Sequence, residues 1–193
     1  MKISFVVLFL LTSTCFANDL QLGLMAGANY SNFQWNNSAV GGGFATTGYS
    51  GSGGVLLSFF EAQHLGFRIS GIDNLVSSSS SGTGNSSTLT ATVTGSTFAT
   101  AATVAFNFDA GPGRHSIGVG YGYESLTSLS CTGTTSFPKA SSGAGLVVDL
   151  KEVLKSGLFG YAQGFLPVDN LAAFNMISSV FVGVGYDFGQ RSK

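Results

Sequence analysis

Apolar residues alternate with small or polar ones along most of this chain, a period of two that puts successive side chains on opposite faces of a β-strand. The first run sets Leu20, Leu22, Leu24, Ala26, Ala28 and Tyr30 against Gln21, Gly23, Met25, Gly27 and Asn29. It covers about 11 residues, the length of a tilted strand that crosses a bilayer. Around 53–60, Val55, Leu57 and Phe59 share a face, while Leu56 and Phe60 leave the phase open. In 65–72, Leu65, Phe67 and Ile69 oppose Gly66, Arg68 and Ser70. From Phe98 to Phe108, Phe98, Ala102, Val104, Phe106 and Phe108 oppose Ala99, Ala101, Thr103, Ala105 and Asn107.

The same grammar continues to the C-terminus. In 116–124, Ile117, Val119, Tyr121 and Tyr123 oppose Gly118, Gly120, Gly122 and Glu124. In 143–150, Ala144, Leu146, Val148 and Leu150 oppose Gly145, Val147 and Asp149. The least regular stretch is 157–166, with Phe159, Tyr161 and Phe165 on one face and Gln163 among them. Last, Val180, Val182, Val184, Tyr186 and Phe188 oppose Phe181, Gly183, Gly185 and Asp187. Eight segments result, an even number.

Their connections alternate in length. Short links run Glu61 to His64, Asp109 to His115 and Lys151 to Ser156, and longer ones cover about 31–52, 73–97, 125–142 and 167–176. Pro112, Pro138 and Pro167 all fall in or beside these connections, as they must if the strands donate complete ladders. Short turns at one end and long loops at the other predict an all-β, eight-stranded antiparallel up-and-down transmembrane β-barrel. Ahead of it, Met1-Lys2, the apolar Ile3 to Leu11 and the small-residue tail Thr12 to Ala17 have the layout of a secretory signal peptide. The expected division is a signal peptide over 1–17, cleaved after Ala17, and a barrel over 18–193. A lipoprotein acylated at Cys15 is disfavoured by Thr14 before it. Cleavage leaves one cysteine, Cys131, so no intrachain disulfide forms.

Composition decides which face meets what. Only 9% of the 193 residues are charged and 28 are glycine, against about 25% charged residues in an ordinary soluble domain. A soluble barrel of the lipocalin kind would turn its apolar face inward and show water Gly23, Gly27, Gly66, Gly118, Gly120, Gly122, Gly183 and Gly185. Glycines do not keep a surface soluble as Lys and Glu do. As the lining of a narrow bore the same positions make sense, and the bulky apolar residues then face lipid. Two aromatic girdles fit this: Phe59, Phe60, Phe67, Phe106, Phe108, Phe159, Tyr186 and Phe188 at the short-turn end, and Tyr30, Phe33, Trp35, Phe98 and Tyr123 toward the other. The net charge of −1 offers nothing to nucleic acid.

The chain resembles the small outer-membrane barrels of the OmpA/OmpX-like type. Leu22 to Phe33 is similar to their first strand, and Val180-Phe-Val-Gly-Val-Gly-Tyr-Asp-Phe188 resembles their last. The resemblance implies that Tyr186 and Phe188 form the assembly signal read by the barrel-assembly machinery during insertion. It also implies an outer-membrane location in a Gram-negative bacterium and contact with outer-membrane lipids. The chain departs from the pattern in continuing from Gly189 to Lys193.

Arg68, Glu124, Asp149 and Asp187 all have bore-facing parity. Such residues could gate a channel, or simply compensate one another as a buried plug. Arg68, Asp149 and Asp187 lie near the short-turn end, within reach of one another across a narrow barrel, and the inward glycines leave room for water. Some barrels of this kind are lipid-modifying enzymes, which need a base beside a nucleophile or carboxylate. The two histidines, His64 and His115, sit in short turns, and Asp73, Glu124 and Asp169 show no triad spacing. No cofactor and no metal pattern is seen. Function then falls to the loops. Ser77 to Ser81 and the Thr/Ser run after it predict a mobile loop, with Leu89, Ala91 and Val93 hinting at an extended fourth strand and Gly95 at a bulge. Phe33, Trp35, Phe44 and Tyr49 suit recognition of sugars or other surfaces, or else cap the rim. The expectation is a non-enzymatic envelope or adhesion-like protein that meets a host or environmental surface through its loops. A narrow ion or solute channel is the alternative, and a lipid-modifying enzyme the weaker one.

Overall fold

A computed structural model describes residues 20–37, 42–61, 63–84, 87–110, 113–133, 143–154, 157–168 and 176–188. The segment expected as a signal peptide lies outside them. Eight strands follow one another: β1 (Leu20–Asn37), β2 (Gly42–Phe59), β3 (Leu65–Gly84), β4 (Ser87–Ala110), β5 (Gly113–Gly133), β6 (Gly143–Val153), β7 (Leu158–Pro167) and β8 (Met176–Asp187). Each pairs antiparallel with the next. β1 also pairs β8, from Gly23 opposite Asp187 to Gln34 opposite Met176, so the sheet closes on itself. Closure leaves no sheet edge around the ring, which is what a lipid environment demands of a β-structure.

Alternation sorts the side chains as a lipid-facing barrel requires. Leu24, Val55, Val104, Val119, Leu146 and Val184 point outward and are about half exposed or more, with Val184 at 69%. Aromatic side chains ring the short-turn end, where Phe59 and Phe67 lie 6.0 Å apart and Tyr186 and Phe188 5.1 Å apart between ring centroids. The open phase of β2 resolves with Val55 outside and Leu56 fully buried.

β7 corrects the sequence expectation. Phe159, Tyr161 and Phe165 do not face lipid but are buried in the bore at 1%, 3% and 4% exposure, together with Gln163. Leu158 and Leu166 face outward instead, so Phe159 leaves the girdle. The physical reason is volume. A Cβ built on Gly185 would lie 2.3 Å from Phe159 Cζ, and one on Gly145 would lie 2.9 Å from Phe165 Cζ. Inward glycines on neighbouring strands are the space these rings fill. Phe159 and Tyr161 join Met25, Leu56, Ile72 and Phe181 in one buried cluster, and Phe165 packs with Ala101 and Val147 in another. The glycines therefore hold aromatic rings where room for water was expected.

The expected long loops are also shorter than composition suggests. The β1–β2 ladder runs to Asn37 opposite Gly42, and the β3–β4 ladder to Gly84 opposite Ser87. The supposed mobile serine run is strand, with Ser77 opposite Thr94 and Ser81 opposite Thr90. Ladder hydrogen bonds belong to the backbone, and β-branched threonine suits them. The bulge is displaced too: the shift falls at Ser96/Thr97, where Ser96 faces Ser128 and Thr97 faces Leu126. The extra residue is Thr127 on β5, and Gly95 stays in register. The short links tighten likewise, since β4 and β5 pair down to Ala110 opposite Gly113. Lys151 belongs to β6 and not to a turn. Gly157 closes the β6–β7 turn with φ of 88°, a left-handed conformation that glycine adopts without strain.

The two faces make opposite demands on glycine. A Cβ on the outward Gly160 meets nothing within 4 Å. Gly160→Ala should therefore leave stability within about 0.5 kcal/mol, while Gly185→Ala should lower it by roughly 1–3 kcal/mol through overpacking against Phe159. Chemical unfolding of the refolded protein in micelles measures both.

Candidate functional site in the barrel interior

Gly66, Arg68, Ser70, Ile72 and Asn74 of β3 turn inward by alternation, which carries Arg68 into the bore at 1% exposure. Its guanidinium forms a salt bridge with Asp149 on β6 and donates to Ser116 Oγ on β5. Thr103 Oγ1 on β4 donates to Asp149 Oδ2 at 2.6 Å. Four strands are thus tied through one ion pair. Gly118 makes the arrangement possible, because a Cβ there would lie 2.5 Å from Asp149 Oδ2 and 2.8 Å from an Arg68 nitrogen.

A second charged centre lies toward the short-turn end. Lys151 Nζ is 2.6 Å from Glu61 Oε1 and 3.0 Å from Asp187 Oδ2, donates to Ser58 Oγ at 3.3 Å, and stands 4.7 Å from the centroid of the Phe159 ring. The Gln21 amide, turned to satisfy its neighbours, donates to Glu61 Oε2 at 2.9 Å. Buried ammonium and carboxylate groups survive only with such partners. Asp187, which spacing had grouped with Arg68, is bound instead by Lys151. Sequence reasoning missed Lys151 and Glu61. Lys151 shares its parity with Asp149 on β6, a signal present once the strand runs one residue past Leu150. Glu61 follows β2 in a turn, where alternation assigns no face.

Glu124 stands apart from both centres. It is 1% exposed and accepts from Thr97 Oγ1 at 2.7 Å and Ser179 Oγ at 2.8 Å. Between these layers the Ser70 hydroxyl and Tyr161 hydroxyl both donate to Gln163 Oε1, at 2.6 and 2.9 Å. Charged and polar groups thus alternate with aromatic ones along the bore.

The remaining predicted residues are scattered. Tyr49 is 78% exposed, with its ring 5.0 Å from that of Tyr30. Phe33 and Trp35 lie on β1 and Phe44 on β2, where Trp35 and Phe44 are opposite in the ladder. Tyr186 ends the outward row of β8, and Phe188 follows it. His64 is exposed in its turn. His115 stacks on Phe108, and its Nε2 lies 2.8 Å from Ala110 O. Among the described residues neither meets a nucleophile. Among the described residues no group of three or more His, Cys, Asp and Glu side chains could hold a metal ion.

Removing one partner of a buried pair strands the other charge. Arg68→Met should cost about 3–5 kcal/mol, and Arg68→Met with Asp149→Leu should recover most of that loss. Urea titration of the refolded variants reads the difference.

No protein-family model matches the chain, and no curated protein matches it. Solved structures do. Ail, the attachment invasion locus protein of Yersinia pestis, aligns at 12% identity and a TM-score of 0.47, over 88% of this chain and 99% of that one. Ail in complex with the heparin analogue sucrose octasulfate aligns at 11% identity and a TM-score of 0.44, with 88% and 99% covered. The N-terminal β-barrel domain of Pseudomonas aeruginosa OprF aligns at 11% and 0.42, with 87% and 97% covered. By its own closed, antiparallel ring, apolar outside and filled with ion pairs and aromatic rings within, this chain is a small eight-stranded β-barrel.

Proposed function

We propose that the protein is a non-enzymatic outer-membrane barrel of a Gram-negative bacterium that holds or meets a surface through its extracellular end. The single observation that carries this is the unequal length of the strands. β3, β4 and β5 have 20, 24 and 21 residues, whereas β6 and β7 have 11 and 10. About ten residues per strand suffice to span a bilayer. The surplus amounts to about 33 to 46 Å of strand at roughly 3.3 Å per residue. It lies at the end away from the short turns and forms a continuous three-stranded sheet. The rim residues Phe33, Trp35, Phe44 and Tyr49 lie on the neighbouring β1–β2 hairpin. A host or environmental surface is the partner this end would meet, and lipid is the partner of the barrel wall.

The filled interior favours this role over conduction. Arg68, Lys151 and Phe159 are each buried to within 2% of completely, and the groups that hold them cross the bore from strand to strand. Delivery would follow cleavage of residues 1–17 after Ala17, with Tyr186 and Phe188 presented to the assembly machinery. Replacing residues 77–94 by a two-residue turn should leave the barrel folded and heat-modifiable on gels, yet abolish attachment of bacteria displaying it to matrix-coated surfaces. Unchanged attachment would refute the role of that sheet. In planar bilayers the intact protein should give no steady openings, and steady openings would favour a channel.

A further inference from the structure

We propose that the outer mouth of the bore binds one monovalent hard cation of the sodium class, held at Glu124. The starting point is a buried carboxyl group with no basic partner among the described residues. Glu124 is buried at 1%, and no basic side chain among the described residues forms a salt bridge with it. Its carboxylate is met by Thr97 and Ser179 hydroxyls and by the Asn74 amide. These are neutral donors, so Glu124, when ionised, has no compensating charge among the described residues, in a setting where an uncompensated ion is costly.

The independent sign of a ligand is a surplus of orphaned oxygens. Asn74 Nδ2 lies 3.4 Å from Thr97 Oγ1, yet Asn74 Oδ1 is buried with no hydrogen-bond partner. On β1, Asn29 Nδ2 donates to Ser31 Oγ, and Asn29 Oδ1 is again buried without a partner. Ser31 stands opposite Ser179 in the β1–β8 ladder, and Ser179 reaches Glu124. Buried acceptors normally find donors. Carboxylate, amide carbonyl and hydroxyl oxygens are the donor types a hard cation takes.

Charge selects the ion. A singly charged cation brings the site to neutrality, whereas a divalent one would leave an uncompensated positive charge in the bore. Glu124 faces Gly143, the first residue of β6 and the last pair of the β5–β6 ladder. The site therefore lies at the end of that ladder away from the short turns.

The test is unfolding of the refolded full chain in micelles, with NaCl exchanged for choline chloride at constant ionic strength. A ligand bound only by the folded state lowers the unfolding constant by the factor 1 + [Na+]/Kd, roughly a hundredfold at 100 times Kd. The logarithm of that constant should fall with log [Na+] toward a slope of −1 in the unaltered protein, and the slope should vanish in Glu124→Gln. Asn74→Asp, which adds a second negative charge, should transfer the dependence to Ca2+, and it carries the test should Glu124→Gln not fold. A flat response in the unaltered protein overturns the proposal. So does a slope that Glu124→Gln leaves intact, a response to Ca2+ but not Na+ in the unaltered protein, or stabilisation by acid alone.

Discussion

The interior of an eight-stranded ring is only wide enough for side chains, and the bore of this barrel is filled by matching its largest residues to its smallest. Phe159 occupies the space that Gly23 and Gly185 leave open, Phe165 that of Gly145, and the Arg68–Asp149 pair that of Gly118. Ring closure, strand register and the burial of charge all depend on this fit. A one-residue slip of β7 would send Phe159, Tyr161 and Phe165 into lipid and bring Leu158 and Leu166 inward. The glycines facing them would then border voids, each with a cost that grows with its volume.

Polar chemistry in the bore follows from the same confinement. Water has little room between the rings, so each buried charge must be met by protein. Arg68 and Lys151 solve this for Asp149, Glu61 and Asp187, and in doing so they join strands that share no ladder: β3 to β6, and β6 to β8. Cross-bore ties of this kind stiffen a ring whose adjacent strands are already hydrogen-bonded. Lys151 also lies over the Phe159 ring, which couples the electrostatic layer to the aromatic one. Toward the outer rim that solution stops, and among the described residues Glu124 is met by hydroxyls and an amide.

Much of this was legible from residues 20–188. Alternation assigned both faces of β1, β4, β5, β6 and β8, because each sets bulky apolar residues against small or polar ones. It placed Arg68, Glu124, Asp149 and Asp187 on the bore-facing side. It fails on β7 because apolar bulk there serves the interior and not lipid: an eight-stranded bore needs bulk as well. Gln163, on the face of Phe159 and Phe165, marked that face as interior. Ser77 to Ser81 misled for a different reason: serine weakens a strand only where packing decides, and this hairpin is held by backbone pairing to Thr90–Thr94. The partnership of Lys151 with Glu61 was out of reach, since it depends on where a turn folds back over the bore.

The central claim is that lipid meets one face of each strand and a filled bore lies behind the other, and β7 tests it most sharply. Spin labels placed singly along residues 158–166, in a Cys131→Ser background reconstituted into bilayers, report collision with dissolved oxygen. High oxygen accessibility at 158, 160, 162, 164 and 166, with low accessibility at 159, 161, 163 and 165, is the result this structure predicts. The opposite phase, or equal accessibility at every position, would contradict it.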